Sequence, residues 1–168
     1  MLNKKRRPLI SVFVAMVLAA AAILLIMQLS GQTSIPNDAD LSLTLERTAC
    51  FGRCPIYRIT VEDDGTVTYF GEMFVAVEGE KISHIGPDQV RKLARELEKV
   101  DFLSLQDEYT DMNATDMPSA ITTLRLNGEE KTVLHYYGDL SAPEKLTDLE
   151  NFIDEITNSI QWIESTTP

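Results

Sequence analysis

Residues 56–70 read IYRITVEDDGTVTYF, and this stretch decides the fold. Apolar and polar residues alternate on both sides of Asp63-Asp64-Gly65, which has the composition of a tight turn because glycine readily adopts a positive φ. The pattern predicts two antiparallel strands, from Ile56 to Glu62 and from Thr66 to Phe70. One face of such a hairpin is polar, so we expect the other face to pack on a core.

The sequence on either side of this hairpin predicts further strands. Leu41, Leu43 and Leu45 alternate with polar residues as in a half-buried strand. A short strand is expected over 74–77, ended by Glu78-Gly79-Glu80, with His84 in the loop that follows. After a loop over 106–118, the segments 121–126 and 131–137 flank Asn127-Gly128, a strong signal for a hairpin turn.

Two segments predict amphipathic helices. The first begins at Gly86-Pro87-Asp88-Gln89, where proline suits the first turn and Asp88 complements the positive helix end. Its apolar residues recur on one face: Val90, Leu93, Leu97, Val100. The second is expected to open with a capping box at Ser141-Ala142-Pro143-Glu144 and to carry one continuous apolar stripe to Ile163. The apolar residues of this second stripe are Leu146, Leu149, Ile153, Ile156, Ile160 and Ile163.

This order of elements predicts an α+β domain over residues 41–164. We expect an antiparallel sheet of four to six strands with both helices on one face, followed by a short tail at 165–168.

The N-terminal part of the chain predicts a membrane anchor. Residues 9–29 are apolar and uncharged, and as a helix they span about 31 Å, close to the thickness of a bilayer core. Residues 1–8 contain four basic side chains that predict a cytoplasmic end, so the domain is expected outside the cytoplasm after a flexible tether at 30–40. Cleavage as a signal peptide stays an alternative, although such apolar regions are usually shorter.

The charge of the exported part excludes some functions. The chain has a net charge of −11, and after Pro8 there remain 11 of its 15 basic residues and all 26 acidic ones, a net charge of −15. Such a field repels phosphate backbones, so nucleic-acid binding is not expected. An envelope protein or a cationic ligand remains open as a partner.

One segment contains reactive side chains. It is Cys50-Phe51-Gly52-Arg53-Cys54-Pro55, and it holds both cysteines of the chain. In an oxidising compartment two thiols at this spacing usually form a disulfide. Gly52 is expected to permit the turn, and Pro55 to extend the chain at Cys54. Closing so short a loop contributes only about 2 kcal/mol to the free energy of unfolding, so the predicted disulfide stabilises the local bend between two strands.

Three other interpretations of the pair stay open. A thiol-redox site is one, although such sites usually begin a helix, whereas a β-branched run follows here. The string Cys-x-x-x-Cys-Pro behind an anchor is also similar to the copper chaperones of cytochrome oxidase assembly, which implies a Cu(I) site formed by Cys50, Cys54 and His135. Those chaperones continue into a helix, and this chain departs from them there. Zinc is a weaker interpretation, because the cysteines with His84 and His135 fit no compact ligand spacing.

A wider set of motifs resembles a bacterial domain family of unknown function whose members are typically exported. The resemblance covers 45–156 and implies a fold and a compartment but no activity. The motifs are Cys50-Phe51-Gly52-x-Cys54-Pro55-x-Tyr57, Asp64-Gly65-Thr66-Val67-x-Tyr69-x-Gly71, Asp116-x-Pro118, His135-Tyr136-Tyr137-Gly138 and Ala142-Pro143-x-x-Leu146.

The remaining candidates predict no catalytic chemistry. The acidic stretch 107–116 lacks calcium-loop spacing, and His135 is expected within a strand as a surface residue or a satisfied core residue. The sequence contains no nucleophile elbow, P-loop, zincin helix or dinucleotide motif, and no cofactor is expected. We therefore predict a binding or interaction module of the bacterial envelope, held in the cytoplasmic membrane by a single span. The alternative is an envelope protein that uses Cys50 and Cys54 for thiol-redox or copper chemistry.

Overall fold

The computed structural model describes residues 39–164, together with Met16 and Ile35, and shows a seven-stranded sheet with two main helices. A single 3₁₀ turn lies at Phe102–Ser104. The strands are β1 (Leu41–Arg47), β2 (Ile56–Glu62), β3 (Thr66–Met73), β4 (Gly79–His84), β5 (Glu108–Tyr109), β6 (Ser119–Leu126) and β7 (Glu129–Tyr136). The helices are α1 (Pro87–Val100), α2 (Glu144–Ile156) and the short α3 (Ile160–Ile163).

The strands lie in the order β4-β3-β2-β1-β6-β7-β5. All neighbours are antiparallel except β5, which runs parallel to β7. The expectation of four to six strands was wrong by one, because β5 lies within the predicted loop over 106–118 and has only two residues. So short a strand shows no alternation in the sequence. Both predicted hairpins are confirmed, and Gly65 and Gly128 hold positive φ in their turns.

The predicted strand over 74–77 is wrong, and β4 begins at Gly79. The chain reverses at Phe74, whose φ is +58°, so the alternation of apolar residues does not continue along β3. The N–H groups of Ala76 and Val77 then donate to the carbonyls of Ile163 and Trp162. His84 was expected in a loop, and it is the last residue of β4.

One face of the sheet carries the core. The inward side chains of β1, Leu41, Leu43 and Leu45, are at most 3% exposed. The buried residues of α1 and α2 join the same apolar cluster. The opposite face carries the polar half of each alternation, so the sheet sequence shows period two.

Helix α1 begins where the sequence predicts. Pro87 occupies the first helical position after Gly86, and the Gly86 N–H donates to Oε1 of Gln89 at 2.8 Å. This bond satisfies a backbone group at the helix entry. The helix ends at Val100, and its C-cap residue Asp101 has a φ of +56°.

Helix α2 begins at Glu144 but without the expected capping box. Its N-cap is Pro143, and no side chain caps it. The N–H of Ser141 instead donates to Oδ1 of Asp139 at 2.7 Å, so Ser141 belongs to the preceding turn.

The predicted continuous stripe from α2 to Ile163 is interrupted. Asn158 has a φ of +55°, and the hydroxyls of Thr157 and Ser159 donate to carbonyls of α2, at Ile153 and Asp154 respectively. These side chains satisfy the helix end locally, and the chain turns before α3.

The predicted anchor at 9–29 lies outside the described residues apart from Met16, as do 1–8, most of 30–40 and the tail at 165–168. Among the helices of the described residues, none combines the length and the apolar character that crossing a membrane requires.

Candidate functional site

Cys50 and Cys54 form a disulfide with their Cα atoms 5.7 Å apart. The residues between β1 and β2, 48–55, are called the disulfide loop below. Within it, the Gly52 N–H donates to the Cys50 carbonyl at 2.9 Å, and the Phe51 N–H donates to the carbonyl of Asp116 at 3.3 Å. The loop is therefore fixed both to itself and to a neighbouring segment.

Gly52 does not play the role expected from the sequence. Its φ lies outside the left-handed region, since it is not among the positive-φ glycines. A Cβ at this position would meet only the Cys50 sulfur, at an ordinary 3.5 Å. The turn therefore forms without the conformational freedom of glycine.

The tip of the disulfide loop presents an aromatic side chain to solvent. Phe51 is 87% exposed. The guanidinium of Arg53 lies 5.6 Å from the ring centroid of Phe74, a cation–π contact that links the loop to the turn between β3 and β4. Pro55 is half-buried where the chain enters β2.

A second loop, residues 110–118, lies beside the disulfide loop and is organised by Tyr136 and Gly138. The N–H groups of Asn113 and Ala114 donate to the Gly138 carbonyl at 3.1 and 3.0 Å. The Tyr136 hydroxyl donates to the Ala114 carbonyl at 3.0 Å and lies 3.3 Å from the Met117 N–H. A Cβ on Gly138 would lie 2.3 Å from the Ala114 carbonyl oxygen, so this close approach requires glycine.

These two loops and the turn that follows β7 carry several exposed apolar side chains. Met112 is 79% exposed, Met117 42% and Leu140 81%, in addition to Phe51. Backbone bonds from Phe51 to Asp116 and from 113–114 to Gly138, with one from the Leu140 N–H to the Asn113 side chain, hold the segments together. We call these four apolar side chains the loop-end surface.

A buried polar cluster lies at the same end of the sheet. The side chain of Glu150 on α2 is fully buried, and its carboxylate accepts hydrogen bonds from Nδ1 of His135 at 3.1 Å and from the Tyr137 hydroxyl at 2.7 Å. Arg47 lies 3.9 Å from the same carboxylate, and its guanidinium carbon is 5.5 Å from the Tyr137 ring centroid. His135 is thus a satisfied core residue, the second of the two alternatives expected from the sequence.

Asp154 extends this cluster toward β2. Its carboxylate accepts from Nη2 of Arg47 and from the Tyr57 hydroxyl, both at 2.8 Å. Burial, together with the Asp154 charge, raises the pKa of Tyr57 far above its usual range, so the hydroxyl stays protonated and donates. Burial opposes the charge of Arg47, but Asp154 and Glu150 outweigh it and raise the pKa of Arg47. The cluster contains one permanent cation for two carboxylates.

The structure brings most predicted site residues to one end of the sheet. The disulfide loop holds five of them, Asp116 lies in the adjacent loop, and Tyr57 and His135 lie in the polar cluster. Gly65 does not join them, since it forms the turn at the opposite end of β2, where a Cβ would lie 2.2 Å from the Ile85 carbonyl oxygen. The five in the loop are Cys50, Phe51, Gly52, Cys54 and Pro55.

The sequence interpretation missed three residues of the cluster, Arg47, Glu150 and Asp154. A signal for two of them was present. Arg47 continues the inward alternation of Leu41, Leu43 and Leu45, and Glu150 lies one turn from Leu146 on the buried side of α2. Charged residues at core positions need partners of opposite charge, so an interaction between Arg47 and Glu150 could have been predicted from the sequence.

The structure does not assemble the copper or zinc site considered above. Within residues 39–164 no three His, Cys, Asp or Glu side chains are placed to hold a metal ion. The cysteines are bonded to each other, and Nδ1 of His135 is engaged by Glu150. The structure therefore does not bring His135 together with the two sulfurs.

The fold and the site define an α+β domain built on one mostly antiparallel sheet, in which a disulfide closes the loop between β1 and β2 at one end. The chain belongs to the family described as a domain of unknown function, DUF6438, whose model matches residues 41–157. No curated protein matches the chain. The expected membership of a family of unknown function is confirmed.

Proposed function

We propose that this protein is a membrane-anchored binding module of the bacterial cell envelope, with the domain outside the cytoplasm and the loop-end surface as its binding site. The observation that carries the proposal is Phe51, an 87% exposed aromatic side chain at the tip of a disulfide-closed loop. Aromatic side chains, phenylalanine among them, are enriched in protein interfaces relative to the rest of the surface.

The loop-end surface is suited to binding because its backbone is already ordered. The disulfide and the bond from Phe51 to Asp116 fix the loop before any partner arrives. Binding then costs less conformational entropy than the ordering of a free loop would. Met112 and Met117 add adaptable apolar contacts beside the rigid ring.

The position of this surface supports a partner in the envelope space. A tether at 30–40 would join the domain at Leu41, and the disulfide loop follows Arg47 at the other end of β1. The seven residues of β1 cover about 23 Å at 3.3 Å per residue. The charge of −15 after Pro8 favours a partner that is neutral or basic.

Crosslinking in living cells tests the binding site. A photoreactive amino acid at position 51 is expected to capture a specific protein after irradiation. The matched control is position 103, because Leu103 is also exposed, at 54%, but lies on the 3₁₀ turn after α1. Equal capture at both positions, or no capture at position 51, would refute the binding role of this surface.

Reporter fusions test the compartment separately. Alkaline phosphatase joined after Pro168 is expected to be active, since it folds only where disulfides form. A fluorescent reporter that functions only in the cytosol is expected to stay dark at the same site. The reverse pattern would refute the anchored, extracytoplasmic topology and leave the loop-end surface to be judged by crosslinking.

A thiol-redox role is the second candidate, and it is favoured by the position of the disulfide in a loop whose residues 51–53 are exposed. Equilibration of the full chain in glutathione buffers distinguishes the two. A structural disulfide stays oxidised at potentials down to about −300 mV, whereas a redox-active pair is reduced well above that potential. Reduction of the Cys50–Cys54 disulfide near −200 mV would favour the redox role over a purely structural one.

A further inference from the structure

Among the described residues, strand β4 forms one long edge of the sheet that has no strand partner on its outer side. In residues 39–164, β4 pairs only with β3, and its backbone makes no other bond along Gly79–His84. Four of its six residues are exposed: Glu80, Lys81, Ile82 and His84. The opposite edge is β5, which has only two residues. A free edge of six residues can pair with another strand.

The register of β4 shows which side chains lie on each face. Ile82 pairs with Thr68 and Glu80 with Phe70, so these residues and His84 lie on the polar, outward face of the sheet. Ile82 is 62% exposed there, and Phe70 beside it is 48% exposed. An apolar residue thus lies at the centre of the free strand, between an acidic residue and a histidine.

We infer that β4 pairs antiparallel with β4 of a second copy of this chain, about a two-fold axis that passes through Ile82. Residues i and 164 − i then face each other. Ile82 contacts its own equivalent, Glu80 faces His84 twice, and Lys81 faces Ser83 twice. Pairing of this kind continues one sheet through both copies and covers both free edges.

Charge complementarity favours this register over those with the axis through Lys81 or Glu80. An axis through Lys81 would place two lysines directly opposite each other and Glu80 opposite Ile82, and like charges in such pairs are destabilising. An axis through Glu80 would oppose two carboxylates. Only the axis through Ile82 pairs an apolar residue with itself and each Glu80 with a hydrogen-bonding partner. The charges that protect this edge from random pairing therefore specify one partner, a second copy.

Single-cysteine crosslinking of the full chain in membranes tests this geometry. The two native cysteines are joined in a disulfide, so an introduced thiol reacts alone. Ile82→Cys places two thiols across the axis, where directly paired Cα atoms are about 4.5–5.5 Å apart, within disulfide range. The control Glu80→Cys is on the same face and also exposed, but its equivalent lies about 13 Å away, since four residues separate Glu80 from its partner position.

After mild oxidation, Ile82→Cys is expected to form dimers at least tenfold more than Glu80→Cys. The double variant Glu80→Cys/His84→Cys is expected to restore dimers, because these positions face each other. Equal crosslinking of the two single variants, no dimer from Ile82→Cys, or capture of a different protein at position 82 would each overturn the inference. A cooperative thermal melt of each variant confirms folding. These outcomes do not bear on the loop-end surface, which lies elsewhere.

Discussion

Arg47→Met is the sharpest test of the polar cluster. Arg47 is 12% exposed and is the cation beside Glu150, whose side chain is fully buried, and Asp154. At about 4 Å, a charge pair with an effective dielectric constant near 20 is worth about 4 kcal/mol. Methionine retains much of the packing of the stem but leaves two carboxylates without their cation. We therefore expect a loss of about 3–5 kcal/mol in the free energy of unfolding.

Urea denaturation of the full chain in a mild detergent measures this loss. The single tryptophan of the chain, Trp162, reports on unfolding because its ring packs 5.1 Å from that of the buried Tyr69. The matched control is Arg58→Met. Arg58 pairs with Glu46 at 3.0 Å, but the two side chains are 55% and 37% exposed, so this change should cost less than about 1 kcal/mol.

A double-mutant cycle separates the charge interaction from lost packing. Glu150→Gln removes the negative charge that Arg47 compensates, so the double variant Arg47→Met/Glu150→Gln should be more stable than the sum of the single changes predicts. We expect a coupling of at least about 1 kcal/mol. Strict additivity, or a loss for Arg47→Met no larger than for Arg58→Met, would show that the cluster is not held together by charge.

Three further changes test the fold by thermal melting. Gly65→Ala should destabilise by at least about 2 kcal/mol, because its Cβ would meet a backbone oxygen at 2.2 Å, whereas Gly128→Ala, with a similar φ but open space around it, should cost only about 1 kcal/mol. Equal losses would contradict the steric argument. Thr122→Val should stabilise by about 1 kcal/mol, because this buried hydroxyl has no hydrogen-bond partner within the part of the chain that the structure describes, while Thr123→Val loses a bond to a neighbouring threonine and should not stabilise. A loss of stability in Thr122→Val would show that the hydroxyl is satisfied. Asp139→Asn should lower the melting temperature at pH 7. Hydrogen bonding by Ser141 outweighs burial and holds the pKa of Asp139 below its usual range, so its stabilisation is present above the unfolded pKa and is lost as the pH falls through the folded one. The difference from the parent chain should therefore shrink as the carboxylate of Asp139 becomes protonated in acid, and a difference as large in acid as at pH 7 would refute this assignment.

The hairpins and the first helix could be predicted because their signals are local. Turns such as Asn127-Gly128 fix the register of the strands on either side, and Gly86-Pro87 marks where α1 begins. The neighbours of β1 could not be predicted in the same way. It pairs with β6, far along the chain, and no local turn specifies that contact. The two-residue strand β5 likewise forms only because β7 is already present beside it.

The errors near 74–77 and 157–159 have different physical causes. The hydroxyls of Thr157 and Ser159 bond locally to carbonyls at the end of α2, whereas the backbone groups of residues 76–77 bond to a distant part of the chain. Ala76 and Val77 donate to carbonyls of α3, and the Tyr69 hydroxyl donates to the Val77 carbonyl at 3.2 Å. Gly71 permits this approach, since a Cβ would lie 2.1 Å from that same carbonyl oxygen. Periodicity alone carries no information about such contacts.

The position of the disulfide loop follows from how its two stems are held. Arg47 and Tyr57 are paired in the β1–β2 register, and each lies three residues from a cysteine. Both donate to the Asp154 carboxylate at 2.8 Å, so one side chain of α2 clamps the two stems from the core side. The disulfide joins the same stems at the solvent side. Because the contacts with Asp154 already fix the two ends of the disulfide loop, the disulfide orders only the tip of that loop. This agrees with the small contribution of about 2 kcal/mol expected for the closure of so short a loop. The orientation of Phe51 therefore depends on charge pairing in the core as well as on the oxidation state of the two cysteines.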